Sequence, residues 1–143
     1  MKFEVTPIGI IRTPYRKEAP VQAAFSDAKG ILKVFDEYKN GLFGIDGFSH
    51  LILVYLFHMN RYHSLKVKPF LDDGMKGVFA TRSPSRPNHL GISTVELLER
   101  KENVLTVRGV DMLDLTPILD IKPYVPAFDH RRNSRIGWLE GKV

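Results

Sequence analysis

The fold is decided by the stretch Phe48-Ser49-His50-Leu51-Ile52-Leu53-Val54-Tyr55-Leu56-Phe57. Ser49 and His50 are its only polar interruptions, so the stretch is apolar almost without a break. A short, continuously apolar run of this kind predicts the central strand of a sheet, buried on both faces. The same run is far too short to cross a membrane.

Short apolar segments separated by turn residues lie on either side of this central strand. A hairpin is predicted from Ile92–Leu98 and Asn103–Arg108, because apolar and polar residues alternate in both. The other predicted elements are strands at Phe3–Arg12, Gly30–Phe35, Gly77–Thr81 and Ile118–Ile121, and a short helix at Glu37–Phe43. About six short strands with little helix predict an all-β fold, a mainly antiparallel β-barrel with one or two short helices.

The chain has 143 residues, which fits one domain, and no linker divides it. The predicted barrel domain covers residues 1–128. Beyond Pro126 the apolar pattern is lost, so we expect residues 129–143 to form a basic tail that frays. This tail contains the cluster His130-Arg131-Arg132-Asn133-Ser134-Arg135.

Composition limits the chemistry that the chain can perform. The 21 Lys and Arg residues exceed the 16 Asp and Glu residues, and the net charge of +5 favours a polyanionic partner. The absence of cysteine excludes disulfides, cysteine-ligated zinc and a thiolate nucleophile. A Walker loop, a nucleophile elbow and a His-Glu-x-x-His pair are also absent, so no hydrolase or nucleotidase is indicated. No signal-peptide pattern follows Met1, and a cytoplasmic location without a membrane partner is the default expectation.

The loop Ala80–Gly91 is the densest cluster of residue types that bind ligands. Arg82 and Arg86 lie four apart in it, and two prolines stiffen it, so the guanidinium groups are held ready. A guanidinium matches a carboxylate or phosphate and stacks on a base. Asn88 can both donate and accept, as an adenine edge requires. The loop predicts a pre-organised anion or base site; the alternative is a rigid surface loop whose arginines pair with nearby acids.

The segment Asp111–Tyr124 is the second candidate, because it concentrates carboxylates. Asp111, Asp114 and Asp120 lie within ten residues of one another. A buried carboxylate needs a cation, a hydroxyl or a backbone N–H, and it is a natural partner for ribose hydroxyls or an amino group. The alternative is that Asp114 and Thr116 only shape a turn through local hydrogen bonds.

His50 and His58 are eight residues apart around the apolar run and share one face of the predicted strand. They would be roughly 26 Å apart at the usual rise of a strand, so no shared metal site is predicted. His50 is expected to be a hydrogen-bonded core residue. For His58, at the end of the strand, a binding role and a structural role stay open.

Four stretches of the sequence resemble the TsaA-like family, also called the TrmO family. They are Ile8-Gly9-Ile10-Ile11-Arg12-Thr13-Pro14-Tyr15, Gly47-Phe48-Ser49-His50-Leu51, Gly77-Val78-Phe79-Ala80-Thr81-Arg82-Ser83-Pro84-Ser85-Arg86-Pro87-Asn88 and Thr116-Pro117-Ile118-Leu119-Asp120-Ile121-Lys122-Pro123-Tyr124. The third and fourth contain the most specific strings, and the resemblance runs from Phe3 to Phe128.

The resemblance implies a β-barrel methyltransferase, not a Rossmann-type one, that is a homodimer and binds S-adenosylmethionine near the subunit interface. The better-studied relatives methylate N6 of N6-threonylcarbamoyladenosine beside the anticodon of tRNA, so tRNA is the implied partner and no metal is implied. Carried over by motif, the cofactor contacts are Pro20, Val21, Gln22, His58, Met59, Arg82, Ile92, Asp114, Leu115, Thr116 and Pro117. The family commonly has arginine where this chain has Val21, glutamine at Met59 and glycine at Leu115.

The resembling motifs also supply the residues expected at the substrate, which are Arg86, Asn88, Asp111, Lys122 and Tyr124. Arg82 is expected to bind a carboxylate of the cofactor or the substrate, and Arg86 and Asn88 the RNA or its base. Asp111 or His58 would steer the proton that leaves the acceptor nitrogen. Three alternatives stay open: a protein that binds S-adenosylmethionine without catalysis, a methyltransferase of a non-RNA substrate, and an RNA-binding barrel without a cofactor.

Overall fold

Eight strands follow one another in the computed structural model, which describes residues 1–143. They are β1 (Gly9–Arg12), β2 (Lys29–Val34), β3 (His50–Leu56), β4 (Lys66–Val67), β5 (Lys76–Gly77), β6 (Leu90–Lys101), β7 (Val104–Arg108) and β8 (Thr116–Pro123). Six of them close into a barrel in the order β1-β2-β7-β6-β3-β8, and every neighbouring pair is antiparallel. β4 and β5 form a separate two-stranded ribbon. The predicted antiparallel barrel is confirmed.

β3 lies between β6 and β8, as expected of a central strand. Leu51, Leu53 and Tyr55 are buried, whereas the residues that alternate with them are only half-buried. The prediction that both faces of this strand are buried is therefore wrong. A single closed sheet has only one interior face, so continuous apolarity in β3 does not mean two-sided burial.

Aliphatic side chains from all six barrel strands fill the interior. The fully buried members include Ile11, Leu32, Leu51, Leu53, Val95, Leu105, Val107 and Ile118. In β2, buried residues alternate strictly with exposed ones, which is the period of a strand with one face inward. Because side chains occupy the interior, a ligand of any size must bind at the mouth or on the outer face.

The boundaries of several elements differ from those predicted. The predicted hairpin is confirmed as β6 and β7, with a longer first strand. The first strand begins only at Gly9, and the predicted strand Gly77–Thr81 gives way after Gly77 to a 3-10 turn at Val78–Ala80. The short helix is a 3-10 helix over Asp36–Leu42. No helix has the length and apolar character needed to cross a membrane.

The segment after β8 does not fray as expected. It begins with one turn of helix, α1 (Pro126–Asp129), and continues to a 3-10 turn at Gly137–Leu139. Trp138 Nε1 donates a hydrogen bond to the carbonyl oxygen of Ala80 at 2.8 Å, and Lys142 Nζ lies 3.0 Å from a carboxylate oxygen of Asp72. These contacts bring the segment back onto the chain between β4 and β6.

Leu115 has a φ of 65°, in the left-handed region that favours glycine. Its side chain is 52% exposed, so truncation removes little packing. We expect Leu115→Gly to raise the free energy of unfolding by about 0.5–1 kcal/mol, because glycine adopts this conformation without a Cβ penalty. Urea unfolding measures the change, and Leu115→Ala, which keeps the Cβ, is the matched control without a gain. Destabilisation by Leu115→Gly would show that the strain is not relieved there.

Candidate functional site

One cavity of about 1390 Å³ lies where the ends of β3 and β6 meet the long loops. Its walls come from segments that are distant in sequence and include Ala19–Gln22, Phe57–Asn60, Phe79–Pro84, Leu90–Ile92 and Asp111–Leu113. Both polar and apolar side chains line it. A cavity built in this way suits a ligand of mixed character, with an apolar body and a few charged groups.

The structure brings most of the predicted site residues to this cavity. Those that line it are Pro20, Val21, Gln22, His58, Met59, Arg82, Arg86, Asn88, Ile92, Asp111 and Thr116. They come from five separate parts of the chain, and only their assembly on the barrel makes them neighbours. Which of them touch a cofactor and which touch a substrate stays a prediction.

Arg82 links two of the predicted segments directly. Its Nη1 donates a hydrogen bond to Gln22 Oε1 at 2.8 Å, across 60 residues of sequence. The bond joins the loop after β1 to the loop before β6. No carboxylate of the chain pairs with Arg82, so its guanidinium keeps free donors for an anionic group. The alternative of a surface arginine paired with nearby acids does not hold for this residue.

Arg86 has a different position, turned into its own loop. Its Nη1 lies within hydrogen-bond distance of the carbonyl oxygens of Thr81 at 3.0 Å, Ser83 at 3.1 Å and Val78 at 3.4 Å. One guanidinium nitrogen therefore contacts three carbonyl groups of the backbone on either side of Arg82 and stabilises that part of the loop. This contribution to loop structure was not expected from the sequence.

A buried polar chain lies beneath the cavity and consists of Tyr55, Ser93 and Asp111. Ser93 Oγ donates to Asp111 Oδ1 in a short hydrogen bond. Because the hydroxyl proton of Ser93 is used there, the Tyr55 hydroxyl is the donor in its 3.0 Å bond to Ser93. Asp111 is 8% exposed. All these donors are neutral, so no cation of the chain balances the carboxylate.

Burial changes the pKa of both titratable members of this hydrogen-bonded series, Asp111 and Tyr55. It raises the pKa of Asp111, an effect that the hydrogen bond from Ser93 and nearby backbone N–H groups partly offset. Burial, together with the nearby Asp111 charge, raises the pKa of the Tyr55 hydroxyl. The raised pKa of Asp111 is what a buried carboxylate shows when it has no cationic partner.

The raised pKa of Asp111 makes stability depend on pH. In the window between the ordinary aspartate pKa of 3.8 and the raised value, the folded chain holds a proton that the unfolded chain has lost. The contribution of Asp111 to the free energy of unfolding therefore falls as pH rises through that window. Asp111→Asn removes this dependence, so its stability relative to the wild type should increase with pH there. Urea unfolding of both proteins across the window measures it, and a difference that is flat or decreases with pH would contradict it.

Asp114, Leu115 and Pro117 lie outside the lining of the cavity, although cofactor contacts were predicted for them. The Asp114 carboxylate accepts bonds from the backbone N–H of Thr13 at 2.9 Å and from Arg12 Nε at 3.1 Å. The hydrogen bond from the Thr13 N–H has the largest effect and lowers the pKa of Asp114, and the hydrogen bond from Arg12 lowers it further. Asp114 thus joins β1 to the start of β8 through long-range bonds, and only Thr116, whose Oγ1 donates to the carbonyl oxygen of Leu113 at 2.6 Å, forms the local bond of the structural alternative.

Lys122 and Tyr124 lie at the other end of β3 from the cavity, so the structure does not bring these two predicted substrate residues to it. Lys122 pairs with Asp120 at 2.8 Å, and the Tyr124 N–H donates to the carbonyl oxygen of His50 at 3.0 Å. His50 itself is half-buried and bonded to Ser49 Oγ at 2.8 Å. The antiparallel run of β8 along β3 carries the end of β8 away from His58.

Sequence reasoning missed several cavity residues. Phe25, Phe70 and Phe79 line the cavity and are 62%, 78% and 75% exposed, which is unusual for phenylalanine. Trp138 also lines the cavity. It is the single tryptophan of the chain, and its presence in the segment predicted to be a basic tail was the sequence feature that could have indicated a contact there.

Comparison with known proteins gives one consistent result. The family model described as the tRNA-methyltransferase O N-terminal domain matches residues 10–130. A protein of Pyrococcus abyssi named a probable S-adenosyl-L-methionine-binding protein is 54% identical over 140 residues, which are 96% of this chain and 76% of that protein. A mouse tRNA (adenine(37)-N6)-methyltransferase is 36% identical over 89% of this chain.

A solved structure has the same architecture. The crystal structure of TrmO from Pseudomonas aeruginosa aligns with a TM-score of 0.81 and 36% identity over 96% of this chain. The chain spans 63% of the length of that protein and 32% of the length of the mouse enzyme.

Proposed function

The chain belongs to the tRNA-methyltransferase O family, and from this premise we propose that it is an S-adenosylmethionine-dependent methyltransferase. The proposed acceptor is N6 of N6-threonylcarbamoyladenosine beside the anticodon of tRNA. The observation that carries the proposal is the convergence of five separate segments, each with predicted cofactor or substrate residues, on one cavity.

The residues of the cavity fit the charges of S-adenosylmethionine. Its amino-acid end has a carboxylate, which the free donors of Arg82 beside Gln22 match. Its ammonium and sulfonium groups are cations, and Asp111 is a buried carboxylate that lacks a cationic partner in the chain. Apolar residues such as Val54, Ile92 and Leu113 offer walls for the uncharged parts.

When bound, S-adenosylmethionine supplies a methyl group activated for direct transfer to a nitrogen nucleophile. The residues of the chain contribute alignment and electrostatics. Arg82 and Gln22 hold one end of the ligand, and the bonds of Arg86 to its own loop keep Arg82 in position. His58 lines the cavity and is only half-buried, so its ring is open to the acceptor, whereas Asp111 is enclosed by Ser93. We assign the departing proton to His58.

The wider setting follows from the same proposal. The net charge of +5 and the exposed Arg131, Arg132 and Arg135 suit the phosphate backbone of tRNA. A homodimer is part of the proposal, and the exposed phenylalanines at the cavity support it, because a partner would bury them. Within such a dimer Lys122 and Tyr124 keep their proposed substrate role. A cytoplasmic location, where tRNA is modified, accompanies this function.

The experiment is incubation of the protein with methyl-labelled S-adenosylmethionine and total tRNA from a strain without the modification. We expect methyl label in the tRNA. Ribonuclease should release this label in soluble form, and it should map to threonylcarbamoyladenosine. Label that survives ribonuclease would instead indicate a protein or small-molecule acceptor. Salt-sensitive RNA binding without affinity for the cofactor would indicate an RNA-binding barrel.

A second candidate function is binding of S-adenosylmethionine without methylation. The name of the Pyrococcus abyssi relative favours it, since that protein is 54% identical and is described by binding alone. It predicts cofactor affinity and no incorporation of label into any tRNA. The incubation described above therefore separates the two candidates.

A further inference from the structure

The residues Gly137–Val143, which we name the Trp138 strap, lie along one wall of the cavity. Trp138, Leu139 and Val143 all line it. None of the strap residues belongs to the buried core. The strap therefore encloses ligand space without being needed to fill the barrel.

Three kinds of contact hold the strap. The indole Nε1 of Trp138 donates to the carbonyl oxygen of Ala80 at 2.8 Å. The carboxylate of Asp72 forms ion pairs with two ammonium groups, that of Lys76 at 2.9 Å and that of Lys142 at 3.0 Å. The ammonium groups of Lys76 and Lys142 also lie 6.0 Å and 5.8 Å from the ring centroid of Trp138, within the range of a cation–π contact. Asp72 with its two lysines is named the latch.

The strap is joined to the ligand-binding residues through the backbone. Ala80, which accepts the indole bond, lies two residues before Arg82, and Arg82 holds Gln22 on the opposite wall. A displaced strap would release the Ala80 carbonyl, which stands at the start of the loop Ala80–Gly91. The position of the strap and the position of the Arg82 guanidinium are therefore coupled by one hydrogen bond.

The contacts that close the strap are few and partly open to water. The side chains of Lys142 and Asp72 are 33% and 21% exposed, and salt screens such pairs. The hydrogen bonds of Lys76 and Lys142 lower the pKa of Asp72, which favours its charged form. A segment held by one hydrogen bond, a screened ion pair and two cation–π contacts at the limit of their range can open without disturbing the core.

We propose that the Trp138 strap is a gate on the cavity, which closes over a bound nucleoside-type ligand and opens when the Asp72–Lys142 pair breaks. In the closed state it positions the loop Ala80–Gly91, and with it Arg82, through the bond to Ala80. The gate rests on the proposed function, because it assumes a ligand in this cavity. Trp138 is a positioning residue here and does not take part in the transfer itself.

The single tryptophan of the chain reports the state of the gate directly. In the protein without ligand, raising the salt concentration should open the latch and shift the Trp138 emission to longer wavelength, as the indole becomes hydrated. Lys142→Ala should show the shifted emission already at low salt and respond little to added salt. Lys101→Ala removes a surface pair with Glu99 outside the cavity and is the matched control without a shift. An emission that neither salt nor Lys142→Ala changes would overturn the gate.

Ligand exchange tests the same proposal with S-adenosylhomocysteine as the probe. Stopped-flow fluorescence should give a dissociation rate about two- to fivefold faster for Lys142→Ala than for the wild type, because one partly exposed ion pair is lost. Trp138→Phe keeps an aromatic ring but loses the bond to Ala80; in methyl transfer it should raise KM for S-adenosylmethionine several-fold with little change in kcat. A merely structural role would lower kcat and thermal stability together.

The outcomes separate the gate from the proposed function. If calorimetry detects no binding of S-adenosylhomocysteine to the wild type, the proposed function fails and the gate fails with it. If the wild type binds but Lys142→Ala and Trp138→Phe exchange the probe at the wild-type rate, the gate alone is wrong.

Discussion

Arg82→Ala should weaken the binding of S-adenosylmethionine by roughly 10- to 100-fold, the range expected when a charge-assisted hydrogen bond is lost. Arg82 joins two segments of the cavity wall through Gln22, and its remaining donors face no carboxylate of the chain. Its side chain is exposed, so the fold should not depend on it. Calorimetry measures the affinity, and thermal unfolding verifies that stability is unchanged.

Two further variants test this prediction. Arg82→Lys keeps the charge but loses the planar fork, so its affinity should lie between those of the wild type and Arg82→Ala. Arg131→Ala removes an arginine outside the cavity and should bind the cofactor as the wild type does. Wild-type affinity and activity in Arg82→Ala would show that the assignment of Arg82 is wrong.

Gly91→Val should lower the free energy of unfolding by about 3 kcal/mol, because it forces apart a pair of packed strands. Gly91 of β6 lies opposite Tyr55 of β3. A Cβ at this position would overlap the Tyr55 ring and come within 2.9 Å of Phe57 Cζ. The Tyr55 ring must then move, which breaks its bond to Ser93 and disturbs the buried chain to Asp111.

Thermal unfolding measures this cost, and a fall in Tm of roughly 10 °C is expected for a chain of this size. Gly47→Ala is the matched control, since a Cβ there meets no other atom within 4 Å. Because Tyr55 and Gly91 both line the cavity, the folded fraction of Gly91→Val should also bind the cofactor more weakly. A stability equal to that of Gly47→Ala would show that the ring moves freely and that its bond to Ser93 contributes little.

The barrel was predictable because each strand carries a local signal. The alternation in β6 and β7 and the apolar run of β3 are properties of neighbouring residues, and they were enough to predict the strands. That one face of β3 lies outside the barrel was not predictable in this way. The closure of the sheet, which leaves one face outside, depends on all six strands at once.

The position of some candidate residues at the cavity was predictable from residue type. Arg82 and Asn88 stand at the cavity, as a stiff loop with an arginine and an amide indicated. Asp114 could not be placed from the sequence, because its partners Arg12 and Thr13 are 102 and 101 residues away. The Trp138 strap was missed for the same reason, since its contact with Ala80 crosses 58 residues.

The cavity between Gln22, Arg82 and Asp111 is the proposed cofactor site. The most direct measurement is a crystal structure of the protein with S-adenosylhomocysteine. We predict that the ligand lies in this cavity, with its carboxylate at Arg82 and its ammonium group on the Asp111 side. Binding elsewhere on the barrel, or an empty cavity in crystals grown at saturating ligand, would contradict the account.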